Sequence, residues 1–438
     1  MGRIKLNNIK VKNINIALKN IDLKNRSEIK RYLHIFKELI IENVTLQRVG
    51  ITLFCFILLF SGYKTICPNL KSITSNVIKQ SKQIYNDTGS LEETLKGAIS
   101  SLESGVSDKV YGKESYINLY GLSERVLGKH YLQDVDLAQS IIKDNNGQLQ
   151  FAVQQLDTSK YVEGIKNTYE LLEAKDIPML YVQTPVKVIE GYTEFPPMIE
   201  DYTQENTSFF KDKLLANNIP FLDLRNNIDK AGIEYDNLFF HTDHHWTTRT
   251  AFWAVGEVVN YIEENTNLKL DENEVYTNID NYHSKVFANS FLGSQGRRVG
   301  KYYGGVDDYE LLYPKFETNY KVTINKGSVE TVSEGGFEEA IIKKHLLAGN
   351  DVFTNRYASY FGGDYPEVIL ENNKINNDIK VLIIKDSFAL PFSAFFSTMV
   401  EETRMLDTRY YDGTIEEYIN TYNPDLVLYV YKSINTQK

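Results

Sequence analysis

The sequence predicts an α/β fold, a mostly parallel sheet flanked by helices, preceded by one N-terminal transmembrane helix. Three observations carry that expectation. Apolar strand-like runs alternate with helical repeats from about residue 159 to the C-terminus, an uncharged apolar run lies near the N-terminus, and the charge balance changes sign across that run.

The charge step is the simplest of the three. Residues 1–48 hold 11 Lys/Arg against 4 Asp/Glu, whereas the rest of the chain holds 37 against 54. Between them lies "VGITLFCFILLFSGY", Val49 to Tyr63, bounded by Arg48 and Lys64. Such a run rises roughly 22 Å as a helix, short of a hydrocarbon core of about 30 Å. Arg48 and Lys64 can snorkel outward, and "TICPNL" can extend the span. Because the basic flank comes first, the positive-inside rule places the N-terminus in the cytoplasm and the bulk of a single-pass chain outside. A cleaved signal peptide is the alternative, but no small-x-small site follows the run.

The expected organisation is therefore a basic cytoplasmic segment (1–48), a membrane anchor (49–67), a polar stalk or helical lead-in (68–110) and a folded domain (111–438). Cys55 and Cys67 are the only cysteines, so the domain carries neither a disulfide nor a thiolate metal site. Its acidic balance argues against nucleic acid as a partner.

Within the domain each element has a local reason. In "SKYVEGIKNTYELLEAKD" the residues Val162, Ile165, Tyr169 and Leu172 fall on one helical face. "IPMLYVQTP" reads as a strand, "FFKDKLLANN" as a helix and "IPFLDL" as a strand. "TRTAFWAVGEVVNYIEEN" places Ala251, Val255, Val259 and Ile262 on one stripe, with Thr247 or Thr248 as its cap. "KVLII", "LPFSAFFSTMV" and "DLVLYVY" follow as strand, helix and strand. Residues 270–350 read as a less regular insert.

Three of the seven histidines crowd "HTDHHW" (His241 to Trp246). A metal held by His241, His244 and His245 would need a carboxylate from elsewhere. A general base needs less: one imidazole and one carboxylate to fix its tautomer, and Asp243 stands two residues before His245. The plain structural reading makes Asp243 a helix cap and the histidines packing residues. On this segment alone, base and cap are equally good accounts.

A second segment shifts the balance. "KVLIIKDSFALPFSAFF" runs strand, turn and helix, with Ser387 at the turn. A serine there gains exposure and nearby backbone N–H donors, and a helix amino terminus favours developing negative charge. Asp and Ser are also ordinary capping residues, so the turn means little until it is paired with the histidine segment.

"TDHHW" together with "KDSF" resembles the DHHW protein family, relatives of the alginate O-acetylation proteins in the SGNH-hydrolase superfamily. "INLYGL", "YVQTPVK", "FLGSQGRR", "YFGGDYP" and "LDTRYYDG" extend the likeness over roughly residues 110–435. The resemblance implies an SGNH-hydrolase-like fold in circularly permuted order, with D-x-H before the serine. It implies Ser387 as nucleophile, His245 as base and Asp243 as the carboxylate orienting it. His244 is given no role. Lys385 stands where the family usually has glycine, a departure that bears on the oxyanion pocket. Arg409, Trp246, Lys187 and Arg297 are candidate substrate contacts, each with a structural alternative.

The function so implied is an extracytoplasmic serine-dependent O-acyl (O-acetyl) transferase acting on a cell-surface polysaccharide of a bacterial envelope. A multi-pass membrane O-acyltransferase would supply the acetyl group; no cofactor and no metal are expected. The rivals are a carbohydrate O-acetyl esterase on the same triad, a non-catalytic glycan-binding protein and a metal-dependent esterase built on the histidines.

Overall fold

The computed structural model describes residues 46–327 and 329–432; most of the basic N-terminal segment lies outside them. The described chain falls into two compact units that divide between Lys113 and Glu114.

In the first unit a single helix, α1 (Leu46–Thr88), runs for 43 residues and takes in Pro68. It is the one helix among the described residues long and apolar enough to cross a membrane. Leu53, Phe54, Phe56 and Leu59 stand exposed along it, an arrangement water would penalise. After a turn at Gly89, which takes a positive φ, Ser90 caps α2 (Leu91–Ser107) by accepting from the Glu93 N–H at 3.3 Å. Gly97 faces Ile84 so closely that a Cβ there would sit 2.1 Å from Ile84 Cδ1. The missing side chain leaves room for the end of Ile84 between the two helices. The polar segment after the apolar run is thus helical almost throughout.

The second unit is built on an eight-stranded sheet. Its elements in chain order are α3 (Ser159–Glu173), β1 (Met179–Gln183), α4 (Thr203–Ala216), β2 (Phe221–Asp223), α5 (Thr248–Asn265), β3 (Tyr282–Phe291), β4 (Asp307–Pro314), β5 (Tyr320–Asn325), β6 (Glu330–Gly335), β7 (Glu367–Asn372), β8 (Lys380–Lys385), α6 (Ala389–Phe396), β9 (Glu402–Leu406), α7 (Ile415–Tyr422) and β10 (Leu426–Tyr431). The sheet order is β2-β1-β10-β8-β9-β7-β5-β6. The five strands from β2 to β9 are parallel, and β7, β5 and β6 continue the sheet antiparallel.

The central strands are apolar on both faces because helices cover both. On β8, Val381 and Ile383 join α5 and α6 in one core, while Leu382 and Ile384 join α3, α4 and α7 in the other. Each such side chain contributes roughly 1.5–3 kcal/mol on burial. The predicted α/β architecture, a mostly parallel sheet flanked by helices, is the one observed.

One expectation needs correction. The region 270–350 is not an insert beside the sheet. Its β5 and β6 are sheet strands, with Val322 and Ile324 alternating into the core, and β3 and β4 form a separate hairpin that reaches the functional site.

Candidate active site

Ser387 follows the carboxyl end of β8 and stands just before α6, half-exposed. Asp386 fixes this turn with both oxygens. Oδ1 accepts the Phe388 N–H at 2.9 Å and Oδ2 accepts the Lys432 N–H at 3.0 Å, tying the turn to the end of β10.

The histidine segment closes as a tight loop before α5. The Phe240 N–H donates to the His245 carbonyl at 3.2 Å, Thr247 N–H donates to the Leu238 carbonyl at 2.9 Å, and Thr247 caps the helix. The Asp307 carboxylate, at the start of β4, accepts from the N–H groups of His241 at 2.8 Å and Thr242 at 2.9 Å. Lys187 crosses beneath it. Its Nζ donates to the carbonyls of Leu149 (2.6 Å), His241 (3.0 Å) and Asp243 (2.9 Å), and to Gln295 Oε1 (3.3 Å). Burial lowers the Lys187 pKa to about 8, so four acceptors rather than bulk water support its charge.

These braces bring three side chains into a line. His245 Nε2 lies 2.8 Å from Ser387 Oγ, and His245 Nδ1 lies 2.5 Å from Asp243 Oδ1. The partners assign the tautomer: Nδ1–H donates to the carboxylate, leaving Nε2 to accept the serine proton. Asp243 is buried, and its second oxygen accepts the Ser294 N–H at 2.5 Å. Burial alone would raise its pKa; His245, His244 and the Ser294 N–H overcome that and hold it well below the carboxylate range. The His245 ring stacks on Tyr357, with centroids 3.9 Å apart and planes at 14°. Tyr357 in turn donates to the Phe388 carbonyl at 3.1 Å, so one tyrosine registers the base against the serine turn.

The other two histidines part company. His241 Nε2 faces Asp236, away from this line, at 3.3 Å from Oδ2. The His244 ring packs against His245 with centroids 3.8 Å apart and planes tilted by 37°, and its Nδ1 lies 2.7 Å from Ser294 Oγ. Asp243, His244 and His245 form a cluster compact enough to hold a metal ion. Asp243 Oδ1 lies 2.5 Å from His245 Nδ1 and 3.5 Å from His244 Nδ1, and an ion held by these three atoms would replace the Asp243–His245 hydrogen bond.

The candidate substrate contacts fare unevenly. Trp246 is fully buried, its Nε1 donating to the Phe388 carbonyl at 3.0 Å and to Tyr357 Oη at 3.2 Å, so stacking on a sugar ring is corrected to a supporting place beneath the serine turn. Lys187 is likewise saturated by its carbonyls, although it also lines a cavity beside the site. Arg297 reaches only the Phe353 carbonyl, at 3.5 Å, among the described residues. Arg409 holds Asp407 with two hydrogen bonds (2.8 and 2.6 Å) and lies 3.2 Å from Asp364. Lys385 completes that cluster, 2.5 Å from Asp364 and 3.2 Å from Asp407. The lysine in place of glycine therefore joins a buried ion cluster. The "YFGGD" turn, with positive φ at Phe361, Gly362 and Gly363, is what carries Asp364 there.

Sequence reasoning missed Tyr357, Asp307 and Lys432. Tyr357 is one of 30 tyrosines with no motif around it. Asp307 lay in the supposed insert. Ser294, within the "GSQGRR" segment, donates its backbone N–H to Asp243.

Residues 146–293 match the family model described as an SGNH hydrolase-like domain, acetyltransferase AlgX. That stretch contains Asp243 and His245 and ends before Ser387. Bacillus cereus PatB1 solved with a sulfonyl adduct is similar in structure at 23% identity, with TM-score 0.56, covering 68% of this chain and 95% of that one. A second PatB1 structure gives 25% identity and TM-score 0.55, over 66% and 95%. A DHHW family protein from Eubacterium siraeum gives 17% identity and TM-score 0.51, over 69% and 92%. No curated protein matches the chain significantly. The chain thus has the SGNH-hydrolase-like α/β fold that a DHHW family protein shares, with an AlgX-type SGNH hydrolase-like stretch at its centre.

Proposed function

We propose that the protein is a membrane-anchored, extracytoplasmic O-acetyltransferase that uses Ser387, His245 and Asp243 to place acetyl groups on a cell-surface polysaccharide. The hydrogen-bond chain from Ser387 Oγ through His245 to Asp243 carries this reading. The matching family model, an acetyltransferase domain, supports the reaction class.

The chemistry follows from the geometry. Ser387 Oγ attacks the acyl carbonyl while His245 Nε2 takes its proton. Asp243 stabilises the imidazolium. Collapse of the tetrahedral intermediate breaks the bond to the donor's leaving oxygen, which receives the proton from Nε2 and departs. A sugar hydroxyl then gives its proton to Nε2 and attacks the acyl-serine, and Ser387 recovers the proton as the new ester leaves. Asp243, buried and bound by two N–H groups as well as by His245, stays ionised through the cycle.

Topology follows from the charge step and the apolar α1: residues before the helix inside, the second unit outside. On that reading a multi-pass membrane O-acyltransferase delivers the acetyl group from the cytoplasm.

The test is partition of the acyl-enzyme. Detergent-solubilised protein is given an activated acetyl ester with and without cell-wall and capsular glycans. Ester appearing on a glycan hydroxyl at the expense of free acetate supports transfer. Acetate release unaffected by every glycan would overturn transfer in favour of hydrolysis.

A further inference from the structure

The chain that follows α1 comes back to the apolar run it left. It reverses at Gly89 and Ser90, and α2 returns along α1 until Gly105 lies against Ile73 and Lys109 Nζ donates to Ser72 Oγ. Tyr111 closes the return. Its N–H donates to Thr65 Oγ1 at 2.9 Å, its carbonyl accepts from Ser61 Oγ at 3.2 Å, and its ring meets Phe60 edge-on. Phe60 and Ser61 belong to the apolar run itself. The next helix, Lys113–Val126, starts two residues later, so no more than roughly 7 Å of chain separates its first residue from Tyr111.

That helix presents its faces in the reverse of the usual order. Its small and polar side packs on the second unit. A Cβ at Gly121 would lie 1.8 Å from the Val299 carbonyl oxygen, Asn118 Oδ1 accepts the Lys301 N–H at 2.9 Å, and Arg125 Nη1 donates to the Tyr302 carbonyl at 3.2 Å. Glu124 is buried and pairs with Lys129 at 2.6 Å. The other side carries Tyr116, Leu119, Tyr120, Leu122 and Val126, all exposed, Leu119 by 64% and Val126 by 78%. Steps of three and four place them on one broad arc, which they share with Ser115 and Ser123 and with no charged residue. A helix on the surface of a water-soluble domain turns such a stripe inward and its charges outward. Here nothing among the described residues covers the stripe, and water would penalise it.

We infer that the helix Lys113–Val126 is an interfacial helix, its face of Tyr116, Leu119, Tyr120, Leu122 and Val126 lying in the outer surface of the bilayer that α1 crosses. The inference rests on the membrane-anchored reading and adds to it a second, peripheral contact with lipid. Two observations select lipid as the occupant. The short tether from Tyr111 keeps the start of the helix at the level where the apolar run ends, so lipid is within reach in every copy of the chain. The face also has the composition of an interface: leucines and valine for the acyl boundary, tyrosine and serine hydroxyls for the headgroups. The second unit is thereby held at the membrane surface rather than at the end of a projecting stalk.

The test reads depth in a bilayer. The full chain carrying Cys55→Ser and Cys67→Ser receives one new cysteine at a time, Leu119→Cys, Val126→Cys, Leu58→Cys or Glu334→Cys, all at exposed positions. Each is labelled with the fluorophore NBD and reconstituted, at high dilution, into phosphatidylcholine–phosphatidylglycerol vesicles with or without nitroxide-bearing lipid. The labels at Leu119→Cys and Val126→Cys are expected to be quenched at least roughly threefold more than the label at Glu334→Cys on the edge strand β6. A nitroxide near the headgroups should quench them better than one at the chain end, because an interfacial helix sinks only about 5–10 Å. Leu58→Cys, in the middle of the apolar run, should show the opposite order and reports α1 itself. Quenching at Leu58→Cys with none at Leu119→Cys and Val126→Cys would overturn the interfacial helix and leave the anchor standing. No quenching at any of the three would overturn both. A blue-shifted label at Leu119→Cys that nitroxide lipid does not quench would mean that protein, a second copy included, covers the face, and would overturn the inference too.

Discussion

Gly293 and Asp243 approach so closely that a Cβ at position 293 would lie 2.2 Å from Asp243 Cβ and 2.6 Å from its Cα. The hairpin end that carries Gly293 is thereby pressed against the residue that orients His245, and Ser294 reaches Asp243 Oδ2 from there. Only a residue without a side chain fits.

Gly293→Ala should therefore displace Asp243 rather than merely crowd a surface. Overpacking of this kind costs about 1–3 kcal/mol, and a shift near 1 Å at a catalytic carboxylate costs roughly 100-fold in rate. Ester turnover and urea unfolding of the variant check both. Unchanged turnover would show that Asp243 does not depend on this contact.

Lys187 is the second brace. Lys187→Met should leave the carbonyls of Leu149 and Asp243 without their side-chain donor in a buried place, while the His241 carbonyl keeps the Leu149 N–H at 2.8 Å. A loss of about 3 kcal/mol in stability is expected, with turnover reduced as the histidine loop relaxes. If Lys187 instead served substrate alone, KM would rise while the urea midpoint stayed put.

His244 makes a prediction about pH. Burial, and then the adjacent His245, hold its imidazole well below the usual histidine value, so the folded protein resists protonating it. The unfolded chain takes up that proton near pH 6.5, so below about 6.5 the unfolded state binds more protons and stability falls by up to about 1.4 kcal/mol per pH unit. Asp243 works in a lower window: its depressed carboxyl adds stability above about 3.9 that is lost as pH falls through its folded value. Urea midpoints at pH 7.5 and 5.5 should therefore diverge less in His244→Asn than in the wild type. Equal slopes in the two proteins would remove His244 from the account.

A fourth prediction concerns metal. Asp243 Oδ1 is already hydrogen-bonded to His245 Nδ1 at 2.5 Å, and an ion held by those two atoms would have to break that bond. Exhaustive chelation should leave ester turnover intact. Stoichiometric bound metal, with activity lost on its removal and restored on its return, would support the metal-dependent rival.

How much of this was legible in the sequence depends on where each signal lay. The helix Thr248–Asn265 was readable to its ends, because a threonine cap, an apolar stripe and a polar tail coincide. The strand Lys380–Lys385 was readable because burial on both faces makes every position but the first apolar until Lys385. The strands Tyr320–Asn325 and Glu330–Gly335 were not. Val322 and Ile324 alternate correctly, but Glu330–Gly335 is an edge strand with little burial to mark it. At the site, Asp243 and His245 are neighbours in sequence and could be paired by spacing. Ser387 lies 142 residues from His245, and its strand-to-helix turn together with the family resemblance suggested their meeting. Trp246 looked like a sugar platform because tryptophan serves in both cores and clefts, and its burial is a tertiary fact. Tyr357 gains its meaning from the ring it stacks on and Lys432 from the turn its N–H ties, which no local pattern records.

The central claim is that Ser387 is acylated with His245 as its base. The protein is incubated with an activated acetyl ester, quenched within seconds and digested, and the peptide containing Ser387 is weighed by mass spectrometry. Ser387→Ala and His245→Ala are run alongside. The account predicts one acetyl group on Ser387 in the wild type, none at that position in Ser387→Ala, and acylation slowed by roughly 1,000-fold or more in His245→Ala. An acetyl group found elsewhere, or undiminished ester turnover in Ser387→Ala, would contradict it.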